Sequence, residues 1–166
     1  MYYIGCTPAQ RLTRKQKGLA SALLVMYWPP EAQEVHWLLL ATDGDGLETE
    51  HLRTTREKPR LRWLGYELAR YVSQDGVTWT WRRPREDMAD LHALIASQAN
   101  LRHLTALAGT LERIARQPGF HGVRVQSWSL LQEARRRGFE GELPHLFFVQ
   151  KLSHGDRLEL SGSKDD

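Results

Sequence analysis

A chain of 166 residues is long enough for one domain with a core of its own and short for two. Hydrophobic residues make up 41% and charged residues 26%, a globular balance rather than that of a disordered chain. The single cysteine, Cys6, excludes an internal disulfide and any multi-cysteine zinc or iron–sulfur site. No apolar run approaches the roughly 18 residues of a membrane span, and the first residues lack a secretory apolar stretch. The expectation is a cytoplasmic protein with no membrane contact.

The formal net charge is only +3, but its distribution is uneven. Residues 1–20 carry Arg11, Arg14, Lys15 and Lys17 with no acid, whereas residues 31–50 carry Glu31, Glu34, Asp43, Asp45, Glu48 and Glu50 with no base. Residues 51–85 are again basic and rich in arginine. Such polarisation steers an anionic polymer to one surface, although arginine richness also follows from a GC-rich genome.

In chain order, residues 1–18 read as a basic arm or edge segment, 19–154 as one domain, and 155–166 as a loose tail. Residues 19–28 form an expected strand stopped by Pro29-Pro30, and 35–42 form its hairpin partner, ended by Asp43-Gly44-Asp45-Gly46. A short charged helix is expected over 47–58. The clearest hairpin spans 61–83, turning at Ser73-Gln74-Asp75-Gly76, with Gly65 read as a bulge or bend.

In its second arm Val77, Trp79 and Trp81 alternate with Thr78, Thr80 and Arg82, the pattern of a half-buried antiparallel strand. Period-three-to-four stripes then mark helices from Pro84 to near Asn100, across 101–115, and from 123 to 137, where Gly138 stops the last. A final strand over 146–152 is expected to close the sheet. The fold class is α+β: a mostly antiparallel sheet of about four to five strands with two or three helices packed on one face.

Two constellations carry a functional suggestion. The first is the basic-aromatic hairpin, where Arg60, Arg62, Trp63, Arg82 and Arg83 accompany Trp79 and Trp81. Guanidiniums bind phosphates as planar forks, and indoles stack unpaired bases at about 1–3 kcal/mol each. The strand alternation, however, favours Trp79 and Trp81 as core against the helices, with Thr78, Thr80 and Arg82 outward. Arg11, Arg14, Lys15 and Lys17 would add a flexible polycation. Arg135, Arg136 and Arg137 would add a cationic helix end, a placement that the helix dipole also favours.

The second constellation is Asp43-Gly44-Asp45 with Glu48, and with Glu50 or His51 nearby. Paired carboxylates after a strand suit Mg²⁺ or Mn²⁺ in a nuclease or nucleotidyl transferase, but the same residues make an ordinary turn. The seven histidines show no HExxH or His-hydrophobic-His spacing, and there is no P-loop, dinucleotide fingerprint or serine nucleophile elbow.

The leading expectation is a non-enzymatic nucleic-acid-binding protein without a cofactor, its ligand DNA or RNA. The alternatives are the metal-dependent enzyme and a protein-interaction subunit, with a protein partner or a second copy as its ligand.

Overall fold

The computed structural model describes residues 5–29, 31–74 and 76–149. The chain divides into two compact units, Met1–Thr54 and Thr55–Asp166, a boundary that falls inside the stretch read from sequence as one domain. The expected tail over 155–166 lies outside the described residues.

In the first unit, residues expected as a flexible arm form a helix, α1 (Pro8–Gln16). The reason is local. Thr7 and Gln10 make a reciprocal capping box, with Gln10 N–H donating to Thr7 Oγ1 at 3.3 Å and Thr7 N–H donating to Gln10 Oε1 at 2.9 Å. Pro8 occupies the first turn, where its missing N–H costs nothing. Beyond the helix, Leu19 N–H donates to Arg14 O and Gly18 N–H to Lys15 O, a Schellman end.

Strands β1 (Ala22–Tyr27) and β2 (His36–Ala41) then pair antiparallel in the expected hairpin, in register from Ala22↔Ala41 to Tyr27↔His36. The Asp43–Gly46 run folds back on the segment before β1: Ala20 N–H donates to Asp45 O and Asp45 N–H to Gly18 O, both at 2.9 Å. Gly44 permits this approach. Its φ is +142°, and a Cβ there would stand 2.5 Å from Ala20 N. Residues 47–58 form no helix, contrary to expectation. Nearly all are exposed, and a helix that short is marginal without an apolar face to bury.

The second unit begins with an antiparallel three-stranded sheet, β3 (Arg62–Trp63), β4 (Tyr66–Ser73) and β5 (Gly76–Arg82), in that order. Leu64 (φ 49°) and Gly65 (φ 80°) join β3 to β4 as a two-residue turn of left-handed residues, so Gly65 serves a hairpin rather than a bulge. Three helices follow, α2 (Arg85–Asn100), α3 (Leu104–Ala115) and α4 (His121–Arg136), close to their expected limits.

The last described strand, β7 (Phe147–Val149), does not close the antiparallel sheet. It pairs parallel with β6 (Arg116–Pro118), a three-residue strand that carries no pattern in the sequence. The class is α+β, as expected, but its strands are distributed over separate small sheets instead of one.

The helices enclose the core. Ile95 of α2, Leu107, Leu111 and Ile114 of α3, and Leu130, Leu131 and Ala134 of α4 are buried together with Phe139. Each such large aliphatic side chain contributes about 1.5–3 kcal/mol by burial. Helix α4 has a second role, because its first turn also lies on the sheet. A Cβ on Gly122 would stand 2.6 Å from Trp81 O and 2.9 Å from Arg82 Cβ, so only glycine allows this approach.

Candidate nucleic-acid interface

That contact decides which face of the hairpin is covered. The residues turned to α4 are Ala69, Tyr71, Thr80 and Arg82. Ala69 is buried, Thr80 Oγ1 accepts from Gly122 N–H at 3.0 Å, and the Tyr71 ring lies 4.0 Å from that of His121. The alternation of β5 then places Val77, Trp79 and Trp81 on the other face, the reverse of the expected core placement.

On this open face the register sets Val72 against Val77, Arg70 against Trp79 and Leu68 against Trp81. Trp79 is 41% exposed and Val72 69%, Arg70 is exposed, and Leu68 and Trp81 are half-buried. Arg70 makes no hydrogen bond or ion pair among the described residues. Directly opposite residues hold their Cβ atoms about 4.5–5.5 Å apart, so an arginine and a tryptophan side chain rise from neighbouring positions on this face.

The arginines singled out from the sequence are mostly engaged within the protein. Glu67, on β4, pairs with Arg82 at 2.8 Å and Arg62 at 3.9 Å, and Arg62 also pairs with Glu86. These contacts hold the Arg62 guanidinium above its ordinary pKa and the Glu86 carboxyl below its own, the latter first through its own backbone N–H and then through Arg62. Arg60 and Trp63 are half-buried.

Arg83 is only 6% exposed. Its guanidinium donates to Ser127 Oγ at 3.0 Å and Val123 O at 3.4 Å, with no carboxylate inside ion-pair distance among the described residues. Burial pushes its pKa down. It is a buried structural cation and not a phosphate contact on an open surface.

The cationic end of α4 is likewise self-contained. Arg136 and Arg137 both close on Glu133, at 2.7 and 2.6 Å, and hold its carboxyl below the ordinary range. Arg135 donates to Phe139 O at 2.7 Å, tying down the turn after the helix. In the first unit, Arg11 donates to Cys6 O and Arg14 to Ala20 O, while Lys15 on α1 and Lys17 just after it are exposed.

Asp43, Asp45 and Glu48 are all exposed, and Glu48 accepts from Gly46 N–H at 2.6 Å, which lowers its pKa. No group of three or more His, Cys, Asp or Glu residues is placed to hold a metal ion among the described residues. The acidic run works as a turn against residues 18–20.

Two exposed residues, one on the open face and one on α4, escape the sequence reading. Arg70 lies in the less regular arm of the hairpin, and only the cross-strand register sets it against Trp79. Trp128 is exposed on α4, away from the buried stripe of Val123, Ser127, Leu130 and Leu131. Helical periodicity alone would have flagged it, because it falls off that stripe.

An open cavity of about 390 Å³ lies elsewhere in the second unit, lined by Leu64, Tyr66, Arg83, Asp87, Asp90 and Gln117 among others. Burial raises the Tyr66 pKa, so its hydroxyl stays neutral and donates to Gln117 Oε1 at 2.9 Å. No helix among the described residues is long and apolar enough to cross a membrane. Comparison with protein-family models, curated protein sequences and solved structures gives no match to this chain.

Proposed function

We propose that this protein is a non-enzymatic nucleic-acid-binding module whose β4–β5 hairpin takes single strands on its open face. The observation that carries the reading is the exposed Trp79 beside the exposed Arg70, with no acidic neighbour in the same cross-strand rows. An unstacked base has a flat face for the indole, and the phosphate next to it meets the guanidinium. Duplex nucleic acid keeps its base faces stacked and out of reach of the indole, so strand state, not base sequence, governs this contact.

The test is fluorescence anisotropy of labelled oligo-dT, oligo-U and a duplex of equal length across a salt series. Salt-dependent binding of the single strands that weakens in Trp79→Ala and Arg70→Ala supports the reading. Absence of binding at low salt, or binding by both variants as tight as that of the parent, overturns it.

A second reading has its own observation. On the β1–β2 hairpin, Leu23, Met26, Trp37 and Leu40 are all exposed, Trp37 to 63%, and both faces of the ribbon are apolar. Exposed apolar surface of that kind suits a protein partner. Concentration-dependent sedimentation of the full chain, compared with Trp37→Glu, reports whether a second copy uses it.

A further inference from the structure

The first unit has almost no core of its own. Among its described residues only Ala20 and Ala22 are buried, and a two-stranded hairpin by itself is marginal in water. The register sorts β1 and β2 into two faces, and no Lys, Arg, Asp or Glu lies within either strand. One face carries the rows Leu23–Leu40 and Val25–Leu38. Cys6 and Arg11 flank it at its base, where they line a cavity of about 190 Å³ with Leu23 and Leu40. The other face carries the rows Ala22–Ala41, Leu24–Leu39 and Met26–Trp37, with Ala41, Met26 and Trp37 exposed.

This second face is graded from base to tip. Its side chains grow from the alanine row through the leucine row to the Met26–Trp37 row. Charge changes along the same axis. The tip holds Glu31 and Glu34, and no Lys or Arg occurs between residues 18 and 50. The base adjoins α1, where Arg11, Arg14, Lys15 and Lys17 outnumber Asp43, Asp45 and Glu48. Glu31, Glu34, Lys15 and Lys17 are exposed and make no ion pair among the described residues. The tip is ordered by Trp28, whose indole N–H donates to Ala32 O at 2.7 Å.

A surface graded in both size and charge complements itself when turned end for end. The Met26–Trp37 row then meets the small alanine row, leucine meets leucine, and each acidic tip reaches the basic base of the other copy. The two ribbons are equal in length, about 20 Å for six residues, so tip and base coincide at both ends. We infer that two copies of this chain associate through this face of the β1–β2 ribbon, antiparallel, in an isologous two-fold contact. The inference rests on the second reading above, to which it adds the arrangement, and is independent of the single-strand reading.

The experiment is sedimentation velocity of the full chain from low to high micromolar concentration. A two-stranded ribbon offers less than the roughly 1,200 Å² of stable interfaces, so the dimer is weak. Trp37→Glu is monomeric throughout. Glu31→Lys with Glu34→Lys, and separately Lys15→Glu with Lys17→Glu, each self-associate about tenfold or more weakly than the parent, since like charges then meet at both ends. An equimolar mixture of these two charge-reversed variants restores the dimer. All of these positions are exposed, and circular dichroism at low concentration verifies that each variant is folded. A parent that stays monomeric at every concentration overturns the inference and the second reading together, as does a dimer that Trp37→Glu leaves intact. A dimer lost in Trp37→Glu but unaltered by the charge reversals, or not restored by mixing them, overturns the end-for-end arrangement and leaves the second reading standing.

Discussion

Gln126 closes on both backbone polar groups of Arg83: the Arg83 N–H donates to Gln126 Oε1 at 2.7 Å, and Gln126 Nε2 donates to Arg83 O at 3.0 Å. This side-chain clamp does the work of a missing strand. It satisfies the chain where β5 ends and joins α4 to the sheet, so the Arg83 side chain enters the helix face and reaches Ser127. An arginine that the sequence presents as one of an adjacent basic pair is thereby withdrawn from the surface.

Arg83→Ala is therefore expected to lower stability by about 2–4 kcal/mol, from lost hydrogen bonds and an unfilled cavity. Arg83→Met is expected to cost less, since it refills the volume without a desolvated charge. Urea denaturation of both variants checks the order; equal loss in the two would show that the guanidinium bonds dominate.

On the open face, Arg70→Ala is expected to reduce the slope of log affinity against log salt by about 0.7, the contribution of one single-strand phosphate contact. Trp79→Ala is expected to weaken binding by about 1–3 kcal/mol with the slope intact. Arg82→Ala should change neither, because Glu67 already holds that guanidinium. Anisotropy titrations at several salt concentrations separate the three variants.

Gly122→Ala tests the seat of α4 on β5. Alanine is ordinarily the better helix former by about 1 kcal/mol, yet here its methyl group would meet backbone. A net loss of about 1–3 kcal/mol is expected, and a stabilised variant in thermal melting would show that the contact yields.

Between α2 and α3, Arg102 sits at φ 53° and closes a Schellman end, with His103 N–H on Gln98 O and its own N–H on Ala99 O. A side chain is strained in that conformation and glycine is not. Arg102→Gly is expected to stabilise the protein by about 0.5–1 kcal/mol, read as a higher denaturation midpoint.

Glu133 supplies a pH dependence. Arg136 and Arg137 depress its pKa in the folded protein, so its contribution is complete above the unfolded carboxylate pKa and is lost as pH falls through the lower folded value. Glu133→Gln should accordingly be less stable than the parent near neutrality, with the gap closing in acid. Paired melts over a pH series check this, and a gap that widens in acid would contradict the sign.

Much of the architecture was legible because it is decided within a few residues. The Pro29 stop, the turn before Gly76, the end of α4 at Gly138 and the stripes of α2, α3 and α4 all depend on near neighbours, and all lie close to where the sequence set them. The helix at Pro8–Gln16 is equally local, through the Thr7–Gln10 capping box, a signal set among basic residues that by themselves suggest a solvated arm. Residues 47–58 failed for the opposite reason: charge suggested a helix, but no apolar stripe was there to anchor it.

The sequence by itself determined the class, the elements of the second unit and the two-residue alternation of β5, because periodicity records which residues share a face. It could not determine which face is covered. That was decided by where the first turn of α4 lands, some forty residues beyond the strand, and by the absence of a side chain at Gly122 that lets it land there. The same docking drew Arg83 into the helix face and left Trp79 and Arg70 on the open one. Alternation is symmetric between the two faces of a strand, and only a tertiary contact breaks that symmetry.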